Sequence, residues 1–342
     1  MLALAADGAG APAAEWIRPR DGAAPLIWGR TDGLVFGIRS PGGMRGPRGL
    51  IRVGVPMPAG PPELVNFIAV EPVTLGYGSR FSRMGFSELD MSQMDQGERG
   101  KRLWVEQPVG DVVLLRPSLL DPLGGALPIP RPPPLEMLSV RIEVERFSVN
   151  KAHVYVVATM FSDQPRELRL AVFAHPDSAP VEELTTTATM GNYERLRLLW
   201  LKDRMVESRS AGTGFSEFRD LENFPLDEML RWGDGDAIAI ATTDEAAPSG
   251  TTVAQAPSWN YRPPKLTQYW RVPARHIQPD LRVKVNVRHT YWASRVEIPN
   301  GPAFENFEVR QRYLAGQEFI FGLTPQAPWE MRPAITRLAR RP

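Results

Sequence analysis

The sequence predicts an all-β protein, a large antiparallel β-sandwich, and three observations carry the prediction. Short runs rich in Val, Ile and Leu recur along the chain, and several alternate apolar with polar side chains, the period of two that a half-buried strand requires. The 29 Gly and 34 Pro are spread over the 342 residues and do not gather in a tail, so they punctuate elements, as turns do between the strands of a sandwich or barrel. One segment alone carries the start and stop signals of a helix.

Residues 1–14 are small and apolar, and match either the end of a secretory signal peptide or an Ala/Gly tail. The first alternative implies a secreted or periplasmic location; a cytoplasmic one stays open. Strands are expected at 34–39, at 49–55 before Pro56, and at 64–70, where Glu71 and Pro72 end the run. Residues 40–47 are turn chemistry throughout. From 74 to 100 the chain turns polar and rich in Gly, Met and Ser without a period, and loops of that length are often functional. The proline-dense stretch 119–134 reads as a domain linker or as a crossover, and the strands on both sides favour the crossover.

Beyond it the alternation is cleaner. Residues 139–147 set Val140, Ile142 and Val144 on one face, and 152–159 returns as a hairpin partner across a turn at Asn150 and Lys151. Further strands are expected at 168–174, 183–189, 237–242, 265–271, 281–287, 303–309 and 318–323, with 195–202 leaning to strand. The helix is expected over 225–232, with Pro225 in its first turn, early acids, Arg231 late and Gly233 as its stop. Residues 15–330 then form one unit, followed by an Arg/Pro-rich tail, 331–342.

Composition removes several functions. Forty Lys and Arg against 39 Asp and Glu leave a formal charge of +1, without the basic footprint of a nucleic-acid binder. No apolar run approaches the roughly 18–20 residues of a membrane-spanning helix. With 0 Cys there is no disulfide, thiol nucleophile, cysteine zinc site or iron–sulfur cluster. His153, His175, His276 and His289 are far apart and lack the local spacing of metal ligands, so no metal site is expected.

Three segments are dense in aromatic and polar groups. They supply Trp104 with Arg102, then Trp259, Tyr261 and Trp270, then Arg288, His289 and Trp292. Sugar rings present apolar faces and hydroxyl rims, so a site for them needs aromatic walls beside placed polar groups. The same aromatics also serve as the core of a large sandwich, with their N–H and O–H tips reaching partners. Glu71, Glu88, Asp90, Glu305 and Glu308 are the carboxylates in unusual settings, with Glu305, Glu71 and Glu88 the candidates for chemistry. Strict alternation over 303–309 puts Glu305 with Phe307 on one face, and Phe304, Asn306 and Glu308 on the other. An acid beside aromatics has its pKa raised toward general acid–base work, whereas a solvated surface acid does not. His175, before Pro176 at a strand end, is placed either for proton transfer or to fix the turn through Asp177.

The last quarter resembles the galactose mutarotase-like β-supersandwich superfamily of sugar epimerases and of the sandwich domains of glycosidases and polysaccharide lyases. The residues that carry the resemblance are 302–309, an acid-bearing strand, and 313–323, a Gly316–Gln317 turn leading into an aromatic-rich final strand. The whole chain also resembles secreted bacterial proteins of similar size. The resemblance implies a supersandwich with a carbohydrate-facing groove, Glu305 as loose counterpart of the catalytic base, and His175 of the acid. The function expected is a carbohydrate-active enzyme acting on an oligo- or polysaccharide, a hydrolase or lyase ahead of an epimerase-like isomerase. The alternatives are a non-catalytic carbohydrate-binding sandwich and a structural or assembly sandwich. No cofactor is expected, and a structural or substrate-bridging Ca²⁺ stays open.

Overall fold

The computed structural model describes residues 14–20, 26–38, 49–56, 63–75, 83–84, 95, 100–115, 135–189, 195–211, 219–233, 235–245, 266–290, 297–331 and 335–336. Their strands form two antiparallel sheets of ten and twelve strands. The first sheet runs, edge to edge, Trp16–Ile17, Leu26–Arg30, Val35–Ile38, Ile51–Val55, Glu63–Leu75, Val181–Thr189, Ala303–Arg312, Arg282–Arg288 and Arg219–Pro225, with Arg83–Met84 added to Glu63–Leu75. The second runs Met205–Glu207, Leu198–Trp200, Asp236–Thr242, Thr267–Val272, Glu318–Thr324, Glu167–Ala174, Val154–Phe161, Leu135–Val144 and Leu103–Trp104. Asp111–Leu115 joins its far side, and Leu230–Trp232 and Ile335–Thr336 join Asp236–Thr242 in turn.

Alternation builds the core between the sheets. Leu138, Val140, Ile142 and Val144 point inward from one strand, and Val154, Val156, Ala158 and Met160 from its hairpin partner. The first sheet answers with Trp28, Phe36, Ile68, Leu184, Phe304 and Phe307 in the same cluster. At the hairpin turn Lys151 takes φ +61°, and the Asn150 side chain accepts from the Ala152 N–H while donating to the Pro72 carbonyl in the opposite sheet. Asp95 receives the N–H groups of Ser148 and Val149 and pairs with buried Lys101. Burial pushes the Asp95 carboxyl up, but Lys101 and these N–H donors outweigh it and hold the group below its ordinary range.

Four expectations need correction. The strand expected to end at Glu71 continues through Pro72, which lies opposite Leu184, to Leu75. Among the described residues, flanking strands on the other side pair with 63–68 and 74–75 only, so the N–H that proline lacks is not asked of it there. The expected helix is a single tight turn, Leu226–Glu228, followed by strand Leu230–Trp232. Adjacent Met229 and Leu230 are both buried, and Gly233 (φ +49°) and Gly235 (φ +108°) turn that strand back onto Asp236–Thr242, so Gly233 closes a hairpin. The proline-dense segment 119–134 lies outside the described residues; the strands on either side of it are paired, with Leu115 opposite Leu135. The expected tail contains buried Met331 and a strand, Ile335–Thr336, on Arg231–Trp232.

The fourth concerns Trp270, expected on a sugar wall. It is fully buried between the sheets against Phe321, and its indole N–H donates to the Phe307 carbonyl of the opposite sheet at 2.8 Å. Trp270→Ala should therefore cost about 3–5 kcal/mol of folding stability, the range for truncating a buried aromatic, measured by equilibrium denaturation. A loss below about 1 kcal/mol would remove Trp270 from the core.

Candidate functional site

The first sheet has a second face, turned away from the core. Val283, Val285 and Val287 point inward, so Lys284, Asn286 and Arg288 point out. On the next strand Phe307 and Val309 point inward and Asn306, Glu308 and Arg310 out. The two strands match Asn286 to Asn306 and then Val287 to Phe304, so Glu305 is one extra residue, a β-bulge. The bulge breaks the strict alternation expected for this stretch. Phe304 and Phe307 both enter the core, and Glu305 turns outward with Asn306, its Oε1 4.0 Å from the Arg288 Nη1.

What holds the bulge is the turn before it. Asn300 (φ +64°) and Gly301 (φ +94°) are consecutive left-handed residues, the pattern of a tight hairpin turn. Fully buried Arg197 donates to the carbonyls of Pro299, Gly301 and Pro302, and Arg209 donates to that of Asn300. Asp244 and Glu245 balance these cations, and Arg195 holds Glu245 through two hydrogen bonds of 2.7 Å. Burial alone would raise both acids, yet the arginines outweigh it and keep both below the ordinary carboxylate range.

The outward face is polar but buried. Thr185, Thr187 and Thr189 continue it onto the next strand, and Glu71 onto the one after, where the Thr187 hydroxyl donates to Glu71 Oε1 at 3.2 Å. Glu183, further along, is pushed up by burial but held below its usual range by Arg310 and Arg282. Glu305 has no such company. It is 5% exposed, Arg288 is the one charged group acting on it among the described residues, and burial lifts its carboxyl to about 7. Around it, among the described residues, Asn286 Oδ1, Asn306 Oδ1 and Arg288 Nε are buried without a hydrogen-bond partner, although Asn286 and Asn306 are only 2% and 1% exposed. Buried polar atoms are rarely left so, because each costs about 1–3 kcal/mol.

The other sequence-predicted residues divide. His289 follows Arg288 and accepts the Ile298 N–H on its carbonyl, which frames the same loop. His175, Arg102 and Trp104 lie on the outer face of the second sheet. There Trp104 is opposite Glu143, and His175 Nε2 is 2.9 Å from Glu143 Oε2. His153 stacks on His175 at 4.0 Å and bonds to Asp177 at 2.7 Å. Tyr155 is sandwiched between the Arg141 guanidinium at 3.8 Å and Phe173 at 5.1 Å, and Arg102 covers Trp104 at 4.7 Å. The resemblance makes His175 the acid to Glu305 as base, which needs both at one groove. His175 lies on the outer face of the second sheet and Glu305 on the outer face of the first, with the core between them. The two do not share a sugar-sized site. Glu88, Trp259, Tyr261 and Trp292 lie outside the described residues.

Sequence reasoning missed Asn286 and Asn306 as site residues. Their signal was asparagine, a residue depleted in strands, inside two runs that otherwise read as strand. Among the described residues no group of three or more His, Asp or Glu is placed to hold a metal ion, and no helix is long and apolar enough to cross a membrane. Comparison with protein-family models, curated proteins and solved structures finds no match to the chain.

The raised Glu305 carboxyl has a consequence for stability. Below the ordinary Glu value of 4.5 it is protonated in folded and unfolded chains alike. Between 4.5 and about 7 only the folded chain keeps the proton, so stability falls as pH rises and levels off above 7. The drop should be about 3 kcal/mol and absent from Glu305→Gln, measured by denaturation of both proteins across this range. Parallel profiles would show Glu305 to titrate normally.

Proposed function

We propose that the outward face of the first sheet around Glu305 binds a carbohydrate, and that the protein is a carbohydrate-active enzyme with Glu305 as its general acid–base. One observation carries the reading: buried, unpartnered Asn286 and Asn306 oxygens beside a carboxyl raised to about 7. Two acceptors and a guanidinium N–H held out of water call for a ligand rich in both donors and acceptors, which sugar hydroxyls are. A carboxyl that gains and loses its proton near neutrality is suited to transfer it.

The charges bear on the reaction. Glycosidic hydrolysis needs a second carboxylate beside the acid; on this face Glu308 lies three residues along the same strand from Glu305, and Glu71, opposite Thr185, lies further off. Elimination needs a proton taken from carbon and one given to the leaving oxygen; Glu305, once ionised, could take the first and pass it to the oxygen where both lie on its side. Arg288 would stabilise negative charge developing on the sugar. The aromatic surface of the second sheet is the weaker candidate, because its rings and acids already bind one another and Tyr155 has both faces covered.

The test is a glycan panel read for new reducing ends, for absorbance of an unsaturated uronide and for altered sugar stereochemistry. Glu305→Gln should fold normally, keep binding and lose roughly 10²-fold or more in rate. Full activity in that variant would remove Glu305 from the chemistry. Binding without turnover by the unaltered protein would make it a carbohydrate-binding sandwich.

A further inference from the structure

We propose that Arg288 is an anchor for an anionic group on the ligand, so that this face selects a polyhydroxylated ring bearing a carboxylate or sulfate over its neutral counterpart. The inference rests on the binding site proposed above and names the class of molecule it takes. Arg288 projects outward two residues from Asn286, and its side chain is 12% exposed, more open than Glu305, Asn286 or Asn306, which places it at the mouth. Its Nε is buried without a partner among the described residues. Its one ion pair among the described residues is the 4.0 Å approach to Glu305, at the outer limit of such contacts and with no hydrogen bond between the two groups. By contrast Arg310 and Arg282, on the same face, are committed to Glu183.

A planar guanidinium with an unspent N–H fits a carboxylate or sulfate through two parallel hydrogen bonds. While Glu305 holds its proton it does not compete for that cation, and its hydroxyl remains a donor to the ligand. Once ionised, it draws on Arg288 and repels the incoming anion. Lys284 and Glu308 flank this exchange, Arg310 and Glu71 lie beyond them, and binding of the anion should therefore be accompanied by proton uptake near neutrality.

The experiment is calorimetry on the full chain with a uronic-acid oligosaccharide, its carboxyl-reduced neutral counterpart, a sulfated oligosaccharide, and acetate and sulfate alone. The anionic oligosaccharide should bind at least tenfold more tightly than the neutral one, more weakly above pH 7, and with loss of that pH dependence in Glu305→Gln. Arg288→Gln should bring the anionic ligand down to the neutral one, and Arg288→Lys should restore part of the preference. The carboxylated or the sulfated sugar leading would identify the anion. Equal affinities for charged and neutral sugars, unchanged in Arg288→Gln, would overturn the anchor and leave the carbohydrate reading standing. Binding of acetate or sulfate without any oligosaccharide would overturn the selection of an anionic sugar along with the carbohydrate reading.

Discussion

One extra residue in one strand determines the chemistry of the outward face. Without the bulge at Glu305, alternation would send either Phe304 or Phe307 out of the core. With it, both rings stay inside, and the strand gains two adjacent outward positions, Glu305 and Asn306, where a regular strand offers one. The acid is thereby brought beside Arg288 and next to the Asn286–Asn306 pair. A bulge interrupts the ladder and needs support. Here it comes from behind, through Arg197 and Arg209, which gather the four carbonyls of the preceding turn. The carboxylates that neutralise these arginines belong to Asp244 and Glu245, so the chemistry of the face depends on a salt-bridge cluster that does not belong to it.

The two outer faces differ in how their polar groups are satisfied. On the second sheet His153, His175, Glu143, Asp177 and Arg141 bind one another, and Tyr269, Glu167, Arg271 and Asp236 form another closed set. These groups stiffen a surface. Around Glu305 the groups are buried but the network is open, and an open buried network is costly unless something else completes it. The contrast explains why an aromatic-rich surface is the weaker candidate here, although aromatics were what the sequence offered as the sign of a sugar site.

Most of the fold was legible because it follows from period two. The strands around Val140, Val156, Leu170, Val285 and Phe319 lie where alternation puts them. The errors arose where pairing overrides local preference. Pro72 stays in its strand because, among the described residues, no strand pairs with it on the side away from Leu184, and residues 230–232 pair with a neighbouring strand although their start and stop residues suit a helix. Glu305 was legible as a carboxyl in an unusual setting, but not its face, since a bulge leaves no mark in hydrophobic periodicity. Trp270 shows the limit of residue type: the same indole fits a wall or a core, and only the position of the Phe307 carbonyl decides. That His175 and Glu305 lie apart depends on strand order, which one sequence does not display.

The order of strands in the first sheet has a bearing on how the protein is made. Its middle is Glu63–Leu75 beside Val181–Thr189 beside Ala303–Arg312, three segments each more than a hundred residues apart in the chain. The N-terminal meander can form early on the ribosome, but its last strand then presents a bare edge until residue 181 emerges. The surface that joins Glu71 to Glu305 does not exist until synthesis has passed residue 312. Such long-range pairing is slow, because the intervening chain must be ordered before any contact rewards it. Throughout that interval the waiting edge is open to strands of other nascent chains. Escorting it, more than stabilising the finished sandwich, is what production of this protein in a foreign host would have to provide.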